Sequence, residues 1–241
     1  MTKKTHTPGR YETVRVKTAR KRSNSSVRWL NRQLNDPYVQ DAKRMGYRSR
    51  ACFKLIELDD RFKFLKPGTK VVDLGAAPGG WTQVVAERIR PLKNKKSAIV
   101  GIDLLEIEDI PGATLLQGDF LEEEHVEAVR EALGGAADVV LSDMAAVTTG
   151  HSNTDHLRIM ALAEAALMFA EEVLSQGGTF IAKVFEGGSD QQLLMALKKA
   201  FKTVKHVKPA ASRKESSEMY VVATGFRGEN MYSSKVGSDE A

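Results

Sequence analysis

The chain has 241 residues, 42% of them hydrophobic and 28% charged, with a formal net charge of +5; this suits one large domain with a real core and excludes disordered and fibrous classes. A single cysteine, Cys52, excludes an internal disulfide and a multi-cysteine metal site. The longest apolar runs, VVLSDMAAV and TFIAKVF, fall well short of the roughly 18 residues of a membrane helix, and MTKKTHTPGR has no apolar run behind its charges, so no secretory signal is expected.

The charge is uneven along the chain. Residues 1–50 hold 14 Lys or Arg against three acids, a balance of +11, while the remaining 191 residues balance at −6. Lys, Arg, Thr and Ser without apolar periodicity predict a basic disordered arm over 1–26. Order is predicted from Val27, with a domain over 27–226 and a polar tail over 227–241. Trp29, Leu30 and Leu34, then Phe53, Leu55, Ile56 and Leu58, are spaced for two helical segments separated by the loop at Gly46. Short β-branched runs (KVVDLGA, SAIVGIDL, ATLLQGDF, ADVVLSDM, TFIAKVF) then alternate with helical patterns (WTQVVAERIR, EEHVEAVREAL, TDHLRIMALAEAALMFAEEVL, DQQLLMALKKAF). Such alternation specifies an α/β fold, a mostly parallel sheet with helices on both faces. TVKHVKP and MYVVATGF have no helix between them and predict an antiparallel hairpin at the sheet edge. A second basic stretch, Gln191–Lys214, has seven bases and no acid. Two basic regions flanking an acidic middle fit a polyanion-binding protein, or a solvated tail with one basic helix face.

In an open α/β sheet, ligands bind beyond the carboxyl ends of the strands. Asp103, Asp119, Asp143 and Lys183 stand at four such ends. Lys183 lies among Ile181, Ala182, Val184 and Phe185, which places it in a buried strand, where an unpaired charge is costly. The loop Gly75-Ala76-Ala77-Pro78-Gly79-Gly80-Trp81 runs from the first strand into a helix, and its glycines allow a ligand close to the backbone and the helix N-terminus. A bare glycine turn and helix-capping acids are the bland alternatives. The loop fails G-x-G-x-x-G at Ala77, the position that admits a pyrophosphate, which disfavours NAD. Asp103 is placed to accept both ribose hydroxyls of a nucleoside, and Asp119 to reach an adenine amino group. The combination favours S-adenosylmethionine, with Gly79, Trp81, Asp103, Asp119 and Asp143 as its binding residues. None of the five histidines forms an i, i+4 pair, so no metal is assigned. Cys52 reads as a buried structural thiol.

VVDLGAAPGGW, IDLL, LQGDF, SDMA, KVF and EMYVVATG, in this order, resemble the FtsJ/RlmE family of ribosomal RNA large-subunit 2′-O-ribose methyltransferases, from about Ser25 to Phe226. The resemblance implies a Rossmann-like S-adenosylmethionine-dependent methyltransferase fold. It implies methylation of a uridine ribose 2′-hydroxyl in 23S rRNA within the large ribosomal subunit, and a Lys-Asp-Lys-Glu tetrad. By motif, the tetrad falls on Lys54 in RSRACFKL, Asp143 in LSDMA, Lys183 in AKVF and Glu218 in SSEMY. Ala146 departs from the family's SDMAP and leaves the loop after Asp143 less rigid. On this reading Lys183 acts on the hydroxyl as neutral base or cationic stabiliser, aided by the second ammonium of Lys54. Asp143 steers Lys183, and Glu218 holds Lys54. Tyr220 shares the strand face of Glu218, where it either holds substrate or packs in the core. The protein is expected to act as a cytoplasmic monomer. The alternatives are a tRNA ribose methyltransferase, a non-catalytic RNA-binding assembly factor and a dinucleotide-dependent oxidoreductase.

Overall fold

The computed structural model describes residues 11, 13–89, 98–145, 151–185 and 191–228. Ala146, residues 1–10 and 12 of the expected arm and residues 229–241 of the expected tail lie outside the described residues. Among the described residues three α-helices, and a short 3-10 turn at Ala19–Lys21, precede the sheet where two helical segments were expected: α1 (Asn24–Leu34), α2 (Pro37–Met45) and α3 (Cys52–Phe62). Pro37 has no N–H with which to continue α1, and the Asp36 carboxylate caps the new helix by accepting from the Tyr38 amide. Gly46, at φ 80°, closes α2 in the left-handed region. α1 opens ahead of the expected Val27 because Ser23 caps it, accepting from the Ser26 amide. Within the stretch expected as an arm, the Tyr11 hydroxyl donates to Asp41 Oδ2 at 2.9 Å, and the Val14 backbone exchanges two hydrogen bonds with the Asn35 side chain at 2.8 and 3.0 Å.

The next elements are β1 (Lys70–Leu74), α4 (Gly80–Arg88), β2 (Ala98–Asp103), β3 (Thr114–Gln117), α5 (Glu123–Leu133), β4 (Ala137–Ser142) and α6 (Ser152–Val173). They are followed by β5 (Leu174–Phe185), α7 (Gln191–Ala200), β6 (Phe201–Val207) and β7 (Glu218–Phe226). Among the described residues these strands form one seven-stranded sheet in the order β3-β2-β1-β4-β5-β7-β6. The strands from β3 to β5 are parallel, and β7 is antiparallel to both β5 and β6. The expected edge hairpin is therefore present, with β7 inside and β6 outermost. Exposed Lys202 and Lys205 on β6 blunt that edge against further pairing.

Strand alternation sorts the core into two layers. Val72, Leu74, Val140, Val221 and Ala223 face the layer shared with α5, α6 and α7. Val71, Val139, Leu141, Ile181, Tyr220 and Val222 face the layer shared with α2, α3 and α4. The period of two then places Asp143, Lys183 and Glu218 on the second face, toward α3. Helices cover both faces, and the arrangement is Rossmann-like α/β, as expected. Among the described residues no helix is long and apolar enough to cross a membrane.

Candidate active site

β5 pairs with β7 in a register that sets Lys183 opposite Tyr220, and Ala182 opposite Ser142 on β4, so that Asp143 emerges beside Lys183. Lys183 Nζ donates to the Asp143 backbone oxygen at 2.8 Å and to its Oδ1 at 3.0 Å. From α3, Lys54 Nζ lies 2.7 Å from Glu218 Oε1 and 3.8 Å from Asp143 Oδ2. The Tyr220 hydroxyl donates to Asp143 Oδ1 at 2.6 Å, and the Ser212 hydroxyl donates to Glu218 Oε1 at 2.9 Å. Lys54 and Lys183 are each only 7% exposed. Two ammonium groups and two carboxylates leave the cluster neutral, so no charge is buried without a partner. Burial alone would push the Asp143 carboxyl up, but the Lys54 and Lys183 charges and the bonds from Tyr220 and Lys183 hold it below its ordinary value. Burial, then the charges of Asp143 and Glu218, push the Tyr220 hydroxyl well above its ordinary value, which keeps it a donor.

The glycine loop adjoins this cluster. Gly75, at φ 67°, has no room for a side chain: a Cβ there would fall 2.3 Å from Cγ of Met144, the residue after Asp143. A Cβ on Gly80 would meet Ser49 Oγ at 2.3 Å, and no side chain caps α4. The Gly75 and Gly79 amides donate to the Ile102 and Ala76 oxygens at 2.9 and 2.7 Å, and the loop leads into a helix N-terminus that no side chain caps, a setting that favours an anionic group. Asp103 accepts the Ala77 amide on Oδ2 at 2.9 Å and the Leu105 amide on Oδ1 at 2.8 Å. Each oxygen of a carboxylate so oriented keeps a lone pair for a further donor. Asp119 is fixed by the Leu121 amide, 3.0 Å from its Oδ1. Beneath the loop, Asp73 is 1% exposed and accepts the Thr82 hydroxyl at 2.6 Å. Its carboxyl is pushed up to about 7, by burial first, with the Thr82 bond opposing and the charges of Asp143 and Asp103 adding.

The structure thus brings Lys54, Asp143, Lys183 and Glu218 together, with Gly79 at the N-terminus of α4 and Asp103 and Asp119 at and just beyond the ends of β2 and β3. Trp81 is turned into the α3/α4 core: it is 3% exposed, its indole N–H donates to the Ala51 oxygen at 2.8 Å, and its ring packs 5.7 Å from that of Tyr220. Tyr220 is fully buried and belongs to the core as well as to the cluster. Sequence reasoning missed Arg48 and Ser212. Arg48 donates to the backbone oxygens of Pro78, Glu108 and Asp109 at 3.1, 2.7 and 2.9 Å, tying the glycine loop to the segment after β2. Its position beside an expected glycine turn carried no signal, because its partners come from distant loops. Cys52 is fully buried, as read from the sequence, and burial pushes its thiol up to about 12. Among the described residues, Glu122, Glu124 and His125 gather potential ligand atoms within 4.8 Å of one another, but the two glutamates are exposed. They stand at the start of α5, where acids favour the helix dipole.

A mostly parallel sheet with a glycine loop leading into an uncapped helix, an acid closing β2 and a Lys-Asp-Lys-Glu cluster beside them is an arrangement of the methyltransferase class. The model of the FtsJ-like methyltransferases matches residues 47–226, and the chain belongs to that family. A ribosomal RNA large subunit methyltransferase E from Paramagnetospirillum magneticum is 64% identical over 217 residues, covering 90% of this chain and 89% of its own. A protein of the same name from Gluconobacter oxydans is 56% identical over 229 residues, covering 95% and 83%. The crystal structure of a protein described as a ribosomal RNA methyltransferase from Plasmodium falciparum superposes with a TM-score of 0.67 at 34% identity, covering 76% of this chain and 100% of that one.

Proposed function

We propose that this chain transfers a methyl group from S-adenosylmethionine to the ribose 2′-hydroxyl of a uridine in 23S rRNA of the large ribosomal subunit, acting as a cytoplasmic monomer. The observation that carries the reading is the convergence of Lys54, Asp143, Lys183 and Glu218 in one buried, neutral cluster against the glycine loop. The names borne by the relatives support the choice of RNA. The residues present fit the cofactor. The uncapped N-terminus of α4, reached through Gly79 and Gly80, would take the carboxylate of its amino-acid end, Asp103 its ribose hydroxyls and Asp119 its adenine amino group. Bound S-adenosylmethionine would supply an electrophilic methyl on a sulfonium.

A ribose hydroxyl is a weak acid, and the chain's task is to hold it in line and manage its proton. Lys183 Nζ has two of its tetrahedral directions occupied by Asp143 oxygens, and a further direction is left for the hydroxyl. A lone pair there takes the proton; an N–H there stabilises the alkoxide. Tyr220 and Lys183 share Asp143 Oδ1, so the carboxylate that orients the amine is itself held. Glu218 and Ser212 fix Lys54 on the other side of the same carboxylate.

The test is methyl transfer to isolated large subunits, naked 23S rRNA and tRNA, with mapping of the modified nucleotide. Label on a uridine 2′-oxygen in the large-subunit RNA is the expected result. Label on tRNA ribose, label on a base, or binding without transfer would each overturn the reading.

A further inference from the structure

Trp29 reads in the sequence as one of an apolar triplet with Leu30 and Leu34, yet it is 56% exposed and Leu34 is 37% exposed. Leaving a large aromatic in water forgoes the stabilisation that burial would give, so a partner of some kind is the natural explanation. The surroundings select its chemistry. Residues 13–35 contain seven bases, Arg15, Lys17, Arg20, Lys21, Arg22, Arg28 and Arg32, and no acid. On α1, Arg28 directly precedes Trp29, and Arg32 lies one turn beyond Arg28; both are exposed.

The position of α1 ties this face to the site. Gln33 is one turn beyond Trp29 on the same stripe, about 6 Å along the helix axis. Its Oε1 accepts from Arg213 Nη2 at 3.0 Å, and the same Nη2 lies 3.4 Å from Asp36 Oδ2. Arg50 Nε is 3.1 Å from that Asp36 oxygen, and its Nη2 donates to the Ala211 oxygen at 2.7 Å. Ala211 and Arg213 flank Ser212, whose hydroxyl holds Glu218. A buried acid and two arginines thus join α1 to the loop that borders the Lys54–Glu218 pair.

We propose that α1 docks an unpaired stretch of the substrate RNA, with Trp29 stacking on a splayed base and Arg28 and Arg32 contacting the flanking phosphates. The proposal rests on the reading of the chain as an RNA methyltransferase. An acid-free, arginine-bearing face complements a polyanion. An aromatic ring stacks only on a base that is not already stacked on its neighbours, so the ligand is single-stranded.

The chain has two tryptophans, and Trp81 is 3% exposed, so intrinsic fluorescence reports mainly on Trp29 when RNA binds. Full-length protein would be titrated, without cofactor, with a short mixed-sequence single-stranded RNA and with a duplex of equal length. Quenching by the single strand is expected. It should vanish in Trp29→Phe while the Trp81 signal persists. Trp29→Ala should weaken single-strand binding roughly 5- to 150-fold, the scale of one base stack, at unchanged salt slope. Arg28→Gln and Arg32→Gln should each flatten that slope by about 0.7. Quenching that survives in Trp29→Phe, equal quenching by the duplex, or full affinity in Trp29→Ala would overturn the proposal. Because the assay contains no methyl donor, its failure is separate from failure of methyl transfer.

Discussion

Replacing Lys183 by alanine tests the assignment of chemistry most directly. The substitution removes the hydrogen bonds at 2.8 and 3.0 Å to the Asp143 oxygens and one of two cations beside that carboxylate. Asp143 keeps the Tyr220 bond at 2.6 Å and Lys54 at 3.8 Å, so its charge is not stranded. Hydrogen bonds to charged groups are worth about 1.5–3 kcal/mol each, but the variant no longer desolvates an ammonium ion. A net cost of about 1–3 kcal/mol, at about 2–4 °C per kcal/mol for a chain of this size, lowers Tm by roughly 2–12 °C. Methyl transfer should fall far more, by about 10²–10⁴-fold, the range for a group managing a proton in the transition state. Cofactor affinity by calorimetry should stay within a few-fold, because the role proposed for the amine is toward the hydroxyl and not the donor. The assay is incorporation of labelled methyl into unmodified large subunits at saturating donor, with a melt of the same sample. Transfer within tenfold of wild type, or a loss of cofactor affinity equal to the loss of rate, would refute the argument. Lys183→Arg separates the two roles of the amine: a guanidinium stays charged, so partial rescue identifies a cationic stabiliser and none identifies a base.

Asp103→Ala should weaken S-adenosylmethionine roughly 10- to 150-fold, the loss of hydrogen bonds to a charged acceptor, and unchanged binding by calorimetry would show that the ribose contact is elsewhere. Asp73, whose carboxyl is pushed from 3.8 to about 7 in the folded chain, favours folding fully below about pH 4, and that contribution is lost as pH rises through about 7. Asp73→Asn keeps an oxygen for the Thr82 hydroxyl and abolishes the titration. The variant's Tm should therefore gain on wild type between pH 5 and 8, by the equivalent of a few kcal/mol, and a constant difference across that range would sink the assignment. Truncation of residues 1–10 removes Lys3, Lys4 and Arg10 and no acid. It should flatten the salt dependence of subunit binding by about 0.7–0.9 per lost phosphate contact, with Tm unchanged; an identical slope would leave those residues without a binding role.

The alternation of apolar and polar residues fixes where a strand lies and which way each side chain points, and both are local properties. That is why Asp103, Asp119, Asp143 and Lys183 were legible as strand-end groups, and why the glycine loop could be set at a helix N-terminus. The inner place of β7 was legible in principle too. It is apolar on both faces through Tyr220, Val222, Val221 and Ala223, while β6 carries exposed Lys202 and Lys205. The pairing of Lys54 with Glu218 reached the sequence reading only through family resemblance, because nothing within either segment refers to the other.

Tertiary structure decided the rest, for one physical reason: a contact between distant segments depends on what the whole fold packs against each face. Arg48 has the composition of any loop arginine, and only the folded chain brings carbonyls from 30, 60 and 61 residues away onto its guanidinium. Trp81 stands in the first turn of the helix that follows the glycine loop, yet the approach of α3 draws its ring into the core. Trp29 has helical spacing suited to burial, yet among the described residues no element covers it, and it is 56% exposed. Periodicity shows that a side chain lies on a helix face; whether that face meets protein or water is set by the neighbours, and those are chosen by the entire sequence at once.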